Sequence, residues 1–239
     1  MKKIILFSIL YFTIVSCSNQ LFNYALQKYG IYDDNVSLKK IKYKQKEIIF
    51  LPMHHIGTEK FYVNVNNKID SLSKSNYFFF TEKVNMKDSE KKDLMKLRKV
   101  IGFALPNGGY EKILDSILTE KKIVLKKKIV FQPNYSDWQL NDNNSKNTDA
   151  TVHELINYYE SKYGEVKLEE CDLAVPDVSN STKCRKDKHS GAYETLVLNY
   201  RNNLIANAIK NDSRQKIALI YGAGHYEGVK KILDSLDKK

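Results

Sequence analysis

The sequence predicts an α/β fold: a central mixed or mostly parallel sheet flanked by helices, in one domain. Two observations carry this. Residues 47–53, 77–81 and 217–221 are nearly continuous apolar runs of strand length, the pattern of strands covered on both faces. Between them, apolar residues recur every three or four positions, the pattern of helices with one buried side.

The elements follow in order. Met1-Lys2-Lys3 and the apolar run Ile4 to Val15 make a charged start and a hydrophobic stretch too short for a comfortable membrane span, so residues 1–16 read as a secretory signal. Ile14-Val15-Ser16-Cys17 resembles a bacterial lipobox, in which the cysteine is acylated and becomes the first residue. Residues 17–46 read as a tether merging into a short helix, with Leu21, Tyr24, Ala25, Leu26 and Tyr29 on one apolar face. Residues 47–239 read as the α/β domain. Glu47 to Met53 is a buried strand, His54 to Thr58 a turn, and Glu59 onward a helix carrying Tyr62, Val65, Ile69 and Leu72 inward. Tyr77 to Thr81 is the second strand, ending at Glu82. A charged helix is expected over Asp88 to Val100, a turn at Asn107-Gly108-Gly109 and a short helix from Tyr110 to Leu118. Ile123 to Leu125 and Ile129 to Phe131 look strand-like. Asn134 to Ala150 reads as a polar loop around Trp138, Val152 to Tyr163 as a helix stopped by Gly164, and Glu170 to Ser190 as loop. A long helix is expected over Tyr193 to Lys210, a third strand over Ile217 to Tyr221 and a closing helix after Gly224.

The formal net charge is +11, and the chain stays basic without Lys2 and Lys3. The lysines are scattered through helical and strand patterns, which argues against nucleic acid as a partner; Lys126-Lys127-Lys128 is the one tight run. The expected partners are a membrane, through lipid on Cys17, and a peptide or small-molecule ligand. Cys171 and Cys184 lie in a polar segment of an expectedly exported chain, where a disulfide closing a surface loop is the natural reading and two free thiols the alternative. Such a closure stabilises by about 3 kcal/mol in the chain-entropy picture.

Three polar residues follow apolar strands: His55, Glu82 and His225. Ligands of open α/β sheets bind beyond the carboxyl ends of strands. Two imidazoles and a carboxylate suit a first-row divalent metal with a position left open, which is a means of hydrolysis at neutral pH. Each also has a plainer reading: a capped or satisfied histidine, or a glutamate paired with lysine.

The run His54 to Tyr62 resembles the first motif of the TraB/GumN/Tiki superfamily, in which a strand ends in Gly-x-x-His. Phe78-Phe79-Phe80-Thr81-Glu82 resembles its strand ending in glutamate. Arg201-Asn202 resembles its helix-opening pair, and Gly222-Ala223-Gly224-His225, with Gly228 beyond, its second Gly-x-x-His. The likeness runs from about Ile48 to Leu236, with one departure: Pro52 stands where the family has glycine. The resemblance implies a fold distantly similar to erythromycin-esterase-like and ChaN-like proteins, and, from the Tiki branch, metal-dependent peptide hydrolysis. It places His55, Glu82 and His225 at a metal, with Mn or Co favoured and Zn possible. Glu82 would be ligand or general base, and Arg201 would neutralise a substrate carboxylate or oxyanion. A buried ion pair between Arg201 and Glu82 is the structural alternative. Gly222 and Gly224 would supply positive φ or close backbone approach. His54 can substitute for His55, and Asp149 is a further candidate whose plainer reading is a helix N-cap. A membrane-anchored hydrolase is the expected function. A non-catalytic, ligand-sequestering lipoprotein is the main alternative, and a haem- or iron-binding protein a third.

Overall fold

Alternate residues of the three apolar strands go to opposite faces of one five-stranded sheet, and helices cover both faces. The computed structural model describes residues 19–86, 89–102, 104–105, 114, 118–186, 189, 191 and 194–238. The signal, Cys17, the Asn107–Gly109 turn, nearly all of the helix expected over Tyr110–Leu118, and the first residues of the helices expected from Asp88 and Tyr193 lie outside them.

Helix α1 (19–28) leads to strands β1 (Lys39–Tyr43) and β2 (Lys46–Met53), short β3 (Ile56–Gly57) and helix α2 (Glu59–Lys74). Strand β4 (Phe78–Thr81), helix α3 (Lys91–Ile101), short β5 (Val130–Phe131) and strand β6 (Ser145–Asn147) follow. Helix α4 (Val152–Tyr163) and one-turn α5 (Glu170–Leu173) precede a π-helical segment, Thr195–Tyr200, that runs into α6 (Arg201–Asn211). Strand β7 (Lys216–Gly222) and α7 (His225–Asp237) close the chain. The sheet order is β1-β2-β7-β4-β6; only β1 is antiparallel to its neighbour.

Ile49, Leu51, Met53, Phe79, Ala218 and Ile220 face α2, where Phe61, Tyr62, Val65, Ile69 and Leu72 meet them. Ile48, Phe50, Phe80, Ile217, Leu219 and Tyr221 face the opposite way, onto Ile205, Ala206 and Ile209 of α6 and Val229 and Leu233 of α7. This explains the unbroken apolar runs: both parities are buried. Truncating a ring such as Phe80, fully enclosed here, to alanine would cost about 3–5 kcal/mol. A satellite core joins α3, α4 and the π segment through Leu97, Ile156, Tyr159 and Leu196.

Five expectations need correction. Residues 17–46 are more than a tether and a helix: Ile31, Tyr32, Val36, Ile41 and Tyr43 are core residues, and β1 forms a sheet edge. Glu170–Ser190 is not all loop, since Glu170–Leu173 forms one helical turn, while the apolar face read on α1 has Leu21, Tyr24 and Tyr29 exposed. Asn134–Ala150 is not all loop: a 3-10 turn, Tyr135–Trp138, buries the indole, and Ser145–Asn147 pairs with Phe79–Thr81 as the fifth strand. Polar side chains masked that strand because it is an edge. Ile123–Leu125 forms no strand, whereas Val130–Phe131 pairs with Ile56–Gly57. Pro52 is accommodated inside β2 because β1 stops opposite Phe50, leaving the proline paired with β7 alone.

Candidate functional site

Glu82 leaves β4 with the parity of Phe78 and Phe80, so its carboxylate emerges toward α6 and α7. Its N–H still donates to the Ile220 carbonyl of β7 (3.2 Å), and Tyr135 Oη donates to its carbonyl (2.9 Å). The backbone of Glu82 is thus fixed from two sides. Burial pushes the Tyr135 phenol above its ordinary pKa.

Arg201, the first residue of α6, is buried and organises the site. Its Nε donates to Asp149 Oδ1 (2.7 Å), and one terminal nitrogen donates both to Asp149 Oδ2 (2.6 Å) and to Glu82 Oε1 (2.5 Å). The other donates to the Val197 carbonyl in the π segment (3.1 Å). The plainer reading of Arg201, a buried ion pair with Glu82, is therefore met, and Asp149 makes it a triad. Asp149 is not the cap of α4; Thr151 is, accepting from Glu154 N. Asp149 lies just past β6 as Glu82 lies just past β4, which brings the two carboxylates to one guanidinium.

Gly222 N–H donates to Glu82 Oε2. A Cβ on Gly222 would sit 3.3 Å from that oxygen, so the glycine serves close approach. The positive φ expected at Gly222 and Gly224 is not found: among the described residues the glycines with positive φ are 30, 102, 164 and 191, and Gly224 has φ −64°. The anion held by backbone amide here is the protein's own carboxylate.

His225 opens α7 and is buried. Its Nδ1 lies 2.7 Å from Asn202 Oδ1, and its Nε2 lies 3.5 Å from Glu82 Oε1. An amide oxygen only accepts, so Nδ1 carries a proton, and Nε2 faces a carboxylate either as the electron pair of a neutral ring or as a second N–H of a charged one. Asn202 is held against α7 where Gly228 leaves no side chain: a Cβ there would fall 2.0 Å from Asn202 Nδ2. The role of Asn202 as the holder of His225 was missed in the sequence; the glycine three residues past His225 was its one visible trace.

Charges decide the electrostatics. Two buried carboxylates face one guanidinium, leaving one negative charge beside His225. Burial alone would raise the Glu82 carboxyl; the His225 hydrogen bond and the Arg201 charge override it and hold its pKa at about 2. Burial works against the charged form of Arg201, but Asp149 and Glu82 raise its pKa further above the ordinary value.

His55 lies at the same sheet edge, two residues past Met53, which pairs with Gly222. Its side chain is exposed and its carbonyl accepts from Gln132 N (3.0 Å). Its ligand atoms are not grouped with those of Glu82 and His225. His54 points to the α2 side, against Phe61, where burial lowers its pKa. The structure thus brings together Glu82, Arg201, Gly222 and His225, adds Asp149 and Asn202, and leaves His55 at the rim.

Among the described residues, the one group of three or more His, Cys, Asp or Glu whose ligand atoms all lie within 4.8 Å is Glu169, Cys171, Asp172 and Cys184, which can hold a metal ion. Here Cys171 and Cys184 form the expected disulfide, with Cα atoms 5.7 Å apart. Lys99 Nζ sits 2.6 Å from Asp172 Oδ2 and 2.9 Å from Glu169 Oε2, so an ammonium already neutralises the two carboxylates. A disulfide offers no thiolate, so ligation there would need the reduced form.

Comparison with protein-family models, with curated proteins and with solved structures gives no match to this chain. Among the described residues no helix is long and apolar enough to cross a membrane.

Proposed function

We propose that this chain is a membrane-anchored, extracytoplasmic hydrolase of the TraB/GumN type, with peptides as its substrate class, whose centre is the Glu82–His225 pair. One observation carries the reading: a buried imidazole, held at Nδ1 by Asn202, whose Nε2 faces a carboxylate oxygen 3.5 Å away. When that ring is neutral with its proton on Nδ1, two acceptors face each other and need something positive between them. A proton on Nε2 is one answer. A divalent cation is the other, and 3.5 Å suits two ligands that share one ion, since each metal–ligand bond is about 2.0–2.2 Å.

Glu82 and His225 would hold such a cation, which would supply Lewis acidity for hydrolysis. Mn or Co is favoured over Zn by the family resemblance. The pair provides two ligands, and His55, exposed at the same sheet edge, is the third that the resemblance names. This chain's own residues do the rest. Asn202 fixes the tautomer of His225. Gly222 N–H and Arg201 orient the Glu82 carboxylate. Four of the five N–H groups of Arg201 go to Glu82, Asp149 and the Val197 carbonyl, so its main part is to position the carboxylates. The anchoring rests on the signal-like start and the Ser16-Cys17 junction.

That internal pairing of Arg201 also supports the second reading, a ligand-sequestering lipoprotein that keeps the buried Arg–Glu–Asp–His network for structure and catalyses nothing. Assay against peptide libraries, with Mn, Co or Zn added to metal-stripped protein, separates the two. Cleavage that His225→Ala and Glu82→Gln both abolish supports the hydrolase; tight peptide binding without cleavage supports the alternative.

A further inference from the structure

We infer that α1 and the loop docked on it form a face that lies on an anionic phospholipid surface. The inference rests on the anchored reading above. Seven large hydrophobic side chains are exposed among the described residues, and four belong to α1, the turn after it or the loop bonded to it: Leu21 (67% exposed), Tyr24 (65%), Tyr29 (71%) and Val124 (70%). The loop is held to the helix by Asn19 and Asn23. Val124 N donates to Asn19 Oδ1 (3.1 Å), Asn23 Nδ2 donates to the Val124 carbonyl (2.9 Å), and Lys126 N donates to Asn23 Oδ1 (2.7 Å). Those bonds set Val124 and the exposed run Lys126-Lys127-Lys128 beside the helix.

Chain geometry identifies the occupant. Asn19, the first residue of α1, is two residues from Cys17. Extended chain covers at most about 3.6 Å per residue, so the start of α1 lies within about 7 Å of an acylated Cys17. A helix of about 15 Å that begins there stays near the headgroups. Exposed tyrosine and leucine with flanking lysines are what an interfacial helix presents to lipid. Lys28, Lys126 and Lys128 supply the charge for anionic headgroups; Asp33 and Asp34 oppose it, and Asp34 is already met by Lys127 (3.5 Å). The face also abuts the candidate site's edge of the sheet: Gly30, just past α1, lies against the His54 ring. Glu82 and His225 would then work close to the bilayer.

The described fold lies wholly within 19–238, so a chain starting at Ser18, without any acyl group, tests the face itself. It should co-sediment with vesicles of phosphatidylcholine and phosphatidylglycerol far better than with phosphatidylcholine alone. Leu21→Glu/Tyr24→Glu should weaken this about tenfold or more, while Val63→Glu, exposed elsewhere, leaves it unchanged. In the full chain processed in membranes, brominated lipid should quench Tyr24→Trp, with buried Trp138 as the unquenched background. Equal binding by wild type and the double variant, or no quenching of Trp at 24, overturns the inference even if Cys17 carries acyl groups. Self-association of the Ser18 chain without lipid, lost in the same variant, overturns it in favour of a dimer face. Vesicle binding intact with an unacylated Cys17 in the processed chain would sink the lipid anchor and leave this face standing.

Discussion

Asn202 Oδ1 accepts from His225 Nδ1 at 2.7 Å, and that bond decides which side of the imidazole faces Glu82. Gly228 makes it possible, because any side chain at that position would displace the Asn202 amide. The relation ties the start of α6 to the first two turns of α7 through one side chain.

Gly228→Ala should therefore uncouple His225 while leaving the sheet intact. The crowding should cost about 1–3 kcal/mol in chemical denaturation. Nitrogen-15 spectra of the imidazole should show a protonated Nδ1 in the wild type and lose that preference in the variant. An unchanged tautomer would show that Asn202 does not set it.

Arg201→Met should destabilise by about 3–5 kcal/mol, because Glu82 and Asp149 would be left buried and unpaired. Asp149→Asn with Glu82→Gln in the same chain should recover much of the loss. A double-mutant cycle with no coupling would contradict the triad.

Acid should reveal Glu82. Its pKa is depressed from 4.5 to about 2, so its contribution is present above about 4.5 and lost as pH falls toward about 2. Glu82→Gln should flatten the stability profile within that window. Equal acid sensitivity of wild type and Glu82→Gln would place the effect elsewhere.

Reduction of Cys171–Cys184, or Cys171→Ser/Cys184→Ser, should cost about 2–4 kcal/mol, with the loss local to the segment around α5. Hydrogen exchange should show faster opening there and unchanged protection in β2, β4 and β7. Two titratable thiols in unreduced exported protein would refute the bond.

The buried strands were legible because both parities of β2, β4 and β7 are apolar, and that pattern has few other readings. β6 was hidden because Ser145, Lys146 and Asn147 belong to an edge and carry polar side chains. Glu82 and His225 were visible as polar residues ending apolar runs. Asp149 was underweighted because it follows that hidden strand, and its role depends on Arg201 reaching it across the fold. The misjudged face of α1 has a physical cause as well: helical periodicity shows that a helix has an apolar side, not what covers it. His55 shares the sheet edge with the site but is exposed in the turn between β2 and β3, and exposure in a turn is not something strand parity foretells.

The central claim is that a divalent cation binds between His225 and Glu82. Calorimetric titration of metal-stripped protein with Mn, Co and Zn tests it most directly. The account predicts saturable binding that weakens as pH is lowered, because proton and cation compete for the same Nε2 electron pair, and that disappears in His225→Ala. Binding unchanged in His225→Ala and lost in Cys171→Ser/Cys184→Ser would move the metal to the Glu169–Asp172 group; no binding by the wild-type protein would contradict the claim outright.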